Sequence, residues 1–181
     1  MGSDLSGNGW SPPPSVRDVV EFHWFHVPVG GAAVLCVLSA EPVWYVGHFS
    51  GGRMRRCRGD LCRHCVEGVG RQIRYVISAV DMASRVLGVI ELGSAAMSAI
   101  RDRALARGVL RGMVIELARA ARSKHGRLDV SVIDETAPSW ATCMEALDCH
   151  FVLERTWERE LGLDPKATSS KGGEFAHSER R

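Results

Sequence analysis

The 181-residue chain has no apolar run approaching the roughly 18 residues that a membrane-crossing helix needs, so none is expected. Its opening residues, MGSDLSGNGWSPPPS, carry neither a basic segment nor an apolar core. A secretory signal is therefore not expected, and the expected location is cytoplasmic. A disulfide framework is unexpected in that compartment. Lysine is scarce: Lys124, Lys166 and Lys171 are the only lysines among 23 basic side chains, so positive charge is carried by arginine. The net charge is only +2, so the molecule as a whole is not a polycation. The H-E-x-x-H pattern of zinc hydrolases does not occur, and the chain is expected not to be an enzyme.

What is present is concentrated in residues 44–75, WYVGHFSGGRMRRCRGDLCRHCVEGVGRQIRY. Three of the six cysteines fall within nine residues here, as Cys57-x4-Cys62-x2-Cys65. The same stretch holds seven arginines (Arg53, Arg55, Arg56, Arg58, Arg63, Arg71 and Arg74) against two acids, Asp60 and Glu67. Aromatic residues stand at both ends: Trp44, Tyr45 and Phe49 before, Tyr75 after.

Clustered cysteines in a reducing compartment are most simply metal ligands. Zinc takes four tetrahedral ligands, usually thiolate and imidazole. Cys62 and Cys65 form a C-x2-C knuckle, and Cys57 is near enough to join them across a short loop. His48 is the best candidate for the fourth position, because Gly51 and Gly52 let the chain fold back. His23 and His26 are more distant alternatives, and His64, inside the knuckle, should point away. The expected cofactor is a structural Zn²⁺. Cys36 in an apolar strand, and Cys143 and Cys149 near a helix, read as packing residues. An iron–sulfur centre is the alternative, since C-x4-C-x2-C followed by a later cysteine is the plant-type ferredoxin spacing. Cys143, 78 residues after Cys65, is a remote fourth ligand for it.

The rest of the chain frames this loop. Residues 1–15 and 164–181 are too polar to build a core and read as a disordered leader and a disordered polar tail. Residues 16–29 read as a short strand or turn packing onto the domain. Strands are expected over 32–39, 43–47, 71–80, 85–92, 112–118 and 127–133, from apolar runs and two-residue alternation. Helices are expected over 94–107, with Ser94 as cap and Gly108 as stop, over 137–147, and from 151 to 163. A hairpin loop is expected at 123–126. This order predicts a mainly β, α+β domain over 16–163: a small OB-like β-barrel with a zinc loop inserted at 48–65. A sheet with helices on one face fits the same order.

Arginine offers a planar fork that matches phosphate, and aromatic rings stack on bases. The expected nucleic-acid-binding residues are Trp44, Tyr45, Phe49, Arg53, Arg55, Arg56, Arg58, Arg71, Arg74 and Tyr75. A second basic set, including Arg101 and Arg111, would extend the groove in such a barrel. A barrel bearing His, then Cys, then Cys-x2-Cys resembles the zinc-containing single-stranded DNA-binding proteins of T4-like phages. That resemblance rests on His48, Cys57, Cys62 and Cys65. It implies an OB-fold, a structural zinc and single-stranded DNA as partner. Those proteins end in an acidic tail, whereas this sequence ends HSERR. A protein-interaction or regulatory module whose zinc loop docks a partner is the rival reading.

Overall fold

A computed structural model describes residues 22–120, 128–133 and 136–160. The expected leader 1–15, the hairpin loop 123–126 and the tail 164–181 lie outside the described residues. In chain order the elements are β1 (Ala32–Val37), β2 (Val43–Ser50), β3 (Arg53–Arg56), α1 (Arg63–Val66), β4 (Arg71–Asp81), β5 (Leu87–Gly93), α2 (Ser94–Arg107), β6 (Val114–Arg119), β7 (Leu128–Ile133), α3 (Ser139–Thr142) and α4 (Cys149–Glu160). All seven strands join one antiparallel sheet, mainly β with a few helices and curled into a half-barrel.

β4 is the spine. Its residues 74–80 pair with β5 along one edge. The opposite edge is divided: β2 pairs with residues 71–76, and β1 with 79–81. From β1 the sheet continues to β6 and β7, and from β2 to β3. The chain changes partner at Ser78. Its carbonyl accepts the Leu38 and Ser39 amides at 2.9 and 3.3 Å. Its own amide donates to Ser39 Oγ at 2.7 Å, and its hydroxyl accepts the Leu147 amide at 2.9 Å. Ser78 is fully buried, so each of these bonds replaces lost water.

Alternation along β4 gives the sheet two apolar faces. Tyr75, Ile77 and Ala79 face inward with Leu35, Val37, Ile90 and Leu92, and Met97 and Ile100 of α2 complete that core. α2 packs against β4, β5 and β7, filling the concavity of the half-barrel. Val76 faces the other way with Val89 and Tyr45, under Val152 and Leu153 of α4. Cys36 and Val80 are covered on that side by Ala137 and Ala141 around α3. Burial on both faces explains why β1 reads as a nearly unbroken apolar run.

Several expected elements change in detail. The region 137–147 holds only the short α3 and then irregular chain. The next helix begins at Cys149, where the Asp148 carboxylate accepts the His150 and Phe151 amides at 3.0 and 3.1 Å as an N-cap. Ser94 does not cap α2. Gly93 holds that position, and the Ser94 hydroxyl donates to the Ile73 carbonyl at 3.4 Å. Gly108 ends the helix as expected, in the left-handed conformation that glycine favours. β5 starts at Leu87 rather than at 85, because residues 81–86 form a tight turn. Asp81 Oδ1 accepts the Ala83 and Ser84 amides there.

The segment before β1 is tied to β5 through Trp24, with Phe25 donating to the Val89 carbonyl at 2.9 Å and Val89 to the His23 carbonyl at 2.8 Å. This approach requires Gly88, where a Cβ would sit 2.5 Å from the His23 carbonyl oxygen. Gly88→Ala should therefore lower stability by about 1–3 kcal/mol. A urea midpoint equal to that of the parent chain would contradict the packing of residues 23–25 on β5.

Candidate metal centre and basic hairpin

β2 and β3 form a hairpin, absent from the expected element list although a glycine pair marks it. Gly51 and Gly52 have φ of 60° and 79°, as a two-residue type I′ turn requires at both central positions. Ser50 then pairs with Arg53, and His48 with Arg55. The Cys57 amide donates to the Val46 carbonyl at 2.8 Å, so the first cysteine leaves the hairpin beside β2.

The next turns are local. Residues 59–61 form one 3₁₀ turn, and the Cys65 and Val66 amides donate to the Cys62 carbonyl as α1 starts. α1 ends in a Schellman motif. Gly68, with φ 73°, donates to the Cys65 carbonyl, and Val69 donates to the His64 carbonyl. That stop aims the Val69 carbonyl at His48, whose Nδ1 donates to it at 2.9 Å. In the neutral ring Nε2 then carries the lone pair, which is the tautomer that a metal-binding imidazole needs.

The four groups converge. One ligand atom from each of His48, Cys57, Cys62 and Cys65 lies within 4.8 Å of all the others. Cys65 Sγ is 3.5 Å from Cys57 Sγ and 3.4 Å from His48 Nε2. Edges of about 3.7 Å are expected for a tetrahedron of sulfurs about 2.3 Å from a central ion. A disulfide needs about 2.05 Å, and all the cysteines are free thiols. His48 is fully buried and Cys62 nearly so. The four residues thus lie close enough to hold a metal ion. His64 is not among them. Its Nδ1 is 3.6 Å from a Glu67 oxygen, and its ring centroid stays 5.7 Å from that of His48.

Electrostatics within the cluster are uneven. Hydrogen bonding to His48 lowers the Cys57 thiol, and the same bond raises the His48 imidazole. Backbone hydrogen bonding, from Arg58 foremost, brings Cys62 down to about 6. Cys65 is pulled down by Arg71, whose Nε donates to its sulfur at 3.2 Å, but burial and its two sulfur neighbours push harder, and its net shift is upward. Three thiolates crowded together repel one another, and a bound cation would relieve that repulsion.

The ten expected nucleic-acid residues do not form one patch. Cross-strand partners share a face of the sheet, and the registers His48–Arg55, Ser50–Arg53, His48–Arg71 and Trp44–Tyr75 put Arg53, Arg55, Arg71, Trp44 and Tyr75 on the face that carries α2. Tyr45, Phe49, Arg56 and Arg74 belong to the α4 face. Trp44 is 63% exposed, whereas Tyr75 packs against the inner core. Tyr45 is buried, with its hydroxyl on Glu91 Oε2 at 2.9 Å, so it has no open ring face of the kind expected of it. Arg74 pairs with Glu91 at 2.6 Å. Arg56 lies over the Trp157 ring, 4.0 Å from its centroid. Arg58 sits exposed in the loop after β3. In the second basic set, Arg111 is committed to the carbonyls of Leu38, Thr142 and Met144. Trp157 had no local signal: it comes from α4, far along the chain, and only the tertiary fold brings it to the hairpin.

The metal-free chain should bind one divalent ion, with release of protons from Cys65 and His48. Affinity should fall as pH drops from about 7.5 to about 5.5, because protons compete for the same lone pairs. Calorimetry in buffers of different ionisation enthalpy reads that release, and a buffer-independent enthalpy would contradict it. His48→Ala should lower affinity by more than about 100-fold, and Arg71→Gln by about tenfold, the size usual for a group that orients a ligand. No helix among the described residues is long and apolar enough to cross a membrane. No protein-family model matches the chain, and neither a curated protein nor a solved structure matches it.

Proposed function

We propose that this is a non-catalytic nucleic-acid-binding protein, most suited to single-stranded DNA, in which a structural zinc stiffens an arginine-rich hairpin. The carrying observation is the register that sets Arg53 and Arg55 on the same sheet face as the exposed Trp44. Trp44 supplies a ring for a base, and the arginines supply forks for the flanking phosphates. Three sulfurs and one imidazole favour zinc over harder ions, and a closed four-ligand set is the structural kind. Holding β3 by metal lowers the entropy lost when its arginines engage phosphate. The likeness in ligand order to zinc-containing single-stranded DNA-binding proteins of T4-like phages supports the same reading, as does a curled sheet compatible with an OB-like barrel.

The test is a fluorescence titration of a labelled single-stranded oligonucleotide at two salt concentrations. With phosphates on Arg53, Arg55 and Arg58, a slope of about −0.7 each predicts roughly 20-fold weaker binding between about 50 and about 200 mM salt. Trp44→Ala should cost about 1–3 kcal/mol of binding with metal content unchanged. Absence of binding at low salt would remove the proposal. A coloured protein with visible absorbance would replace zinc by an iron–sulfur centre.

A second reading is favoured by Leu61 and Val66, which are 91% and 82% exposed on the metal loop. Large apolar side chains so open at the tip of a rigid loop suit docking on a protein partner. That reading predicts weak, salt-insensitive oligonucleotide binding.

A further inference from the structure

Between the hairpin, the metal loop and Trp157 lies a cleft of about 720 Å³. Its walls include Arg55, Arg56, Arg58, Arg63, His64 and Trp157, and no carboxylate lines it. Arg55 and Arg58 have no ion-pair partner among the described residues, and Arg63 makes only a surface pair with Glu67 at 2.6 Å. The cleft borders a second hollow of about 430 Å³ that shares Arg56, Cys57 and Trp157 with it. The Trp157 ring is fixed from one side by Tyr45, edge to face at 5.5 Å, and carries the Arg56 guanidinium over it at 4.0 Å.

We infer that this cleft is a binding site for a nucleoside phosphate. Four guanidinium groups with so little carboxylate around them form a concentrated anion site, and arginine forks match phosphate oxygens. A simple anion site has no use for an indole. Here the indole holds Arg56 in place, and a guanidinium so held offers its own flat face to a base, as arginine planes do in single-strand recognition. The phosphate then lies toward Arg58 and Arg63, and the base against Arg56 in the direction of the second hollow. Trp157 is a positioning residue, acting through Arg56. The ligand is either one nucleotide of a bound strand or a free nucleotide, since both present the same chemistry.

The inference rests on the nucleic-acid reading and deepens it, since Arg55 lines the cleft and Trp44 lines the second hollow; the Arg56→Lys variant tells the two apart. The probes are adenosine 5′-monophosphate, adenosine and inorganic phosphate, titrated by calorimetry into the zinc-loaded full chain. The nucleotide should bind at least about tenfold more tightly than either fragment. Arg58→Gln should weaken both the nucleotide and phosphate. Arg56→Lys, which keeps the charge and removes the plane, should bring the nucleotide down to the level of phosphate and leave phosphate unchanged. Zinc per chain is measured for each variant, and binding is read on zinc-loaded protein. Oligonucleotides with and without a terminal phosphate then tell a free-nucleotide site from a strand-end site. Nucleotide binding no tighter than phosphate, or unchanged in Arg56→Lys, overturns the inference. If oligonucleotide binding persists in that case, the function proposed above stands without this site.

Discussion

Three cysteine sulfurs and an imidazole nitrogen crowded within 4.8 Å of one another set a charge problem that shapes the whole basic hairpin. Without an ion, the sulfurs must share protons. Cys62 is held low by backbone hydrogen bonds, while burial and its sulfur neighbours carry Cys65 upward against the pull of Arg71. A divalent cation removes the conflict at once, and the geometry is already laid out for it. The order of causes can be followed along the chain. Gly68 stops α1, the stop aims the Val69 carbonyl, the carbonyl fixes the His48 tautomer, and the free Nε2 faces the sulfurs. Each step is one hydrogen bond long, so the site is built almost wholly from residues 46–70.

The same logic divides the arginines. A cluster of thiolates needs positive charge at its rim, and Arg71 supplies it through the Cys65 sulfur. Glu91 needs partners because it lies on the α4 face, and Arg74 and Tyr45 answer it. Arg56 is held on Trp157. Arg53, Arg55 and Arg58 are left with no ion pair among the described residues. A count of positive charge along the sequence treats all of these alike, but an arginine already hydrogen-bonded to sulfur or carboxylate is a poorer phosphate ligand than one held only by its backbone.

How much was legible follows from how local each feature is. The metal ligands were readable because C-x2-C knuckles and glycine turns are decided within a few residues, and His48, Cys57, Cys62 and Cys65 do come together. Strand positions were readable where alternation or an apolar run was plain, as in β1 and β4. β3 was missed because RMRR has no apolar pattern, although the Gly51–Gly52 pair before it was a hairpin signal. The roles of Tyr45 and Arg74 were illegible, because Glu91 reaches them through β5, across the register of the sheet. Trp157 was illegible for the same reason at longer range. The α2 cap was misread because Ser94 is a good cap by type, yet its hydroxyl is taken by the Ile73 carbonyl.

The partition of β4 has one more consequence. All three apolar clusters draw on its residues from Tyr75 onward, and the chain between Val46 and Arg74 gives none of them a side chain. The finger that carries the cysteines is thus a cantilever, anchored to the spine by β2 and braced by the Arg56–Trp157 contact, with four converging ligands that a metal ion would tie together. Demetallation would melt that finger while the half-barrel stayed intact, a sub-global opening with its own free energy. The chain would thereby separate two kinds of order in one domain: a scaffold made permanent by hydrocarbon, and an appendage whose rigidity would follow the ambient supply of metal.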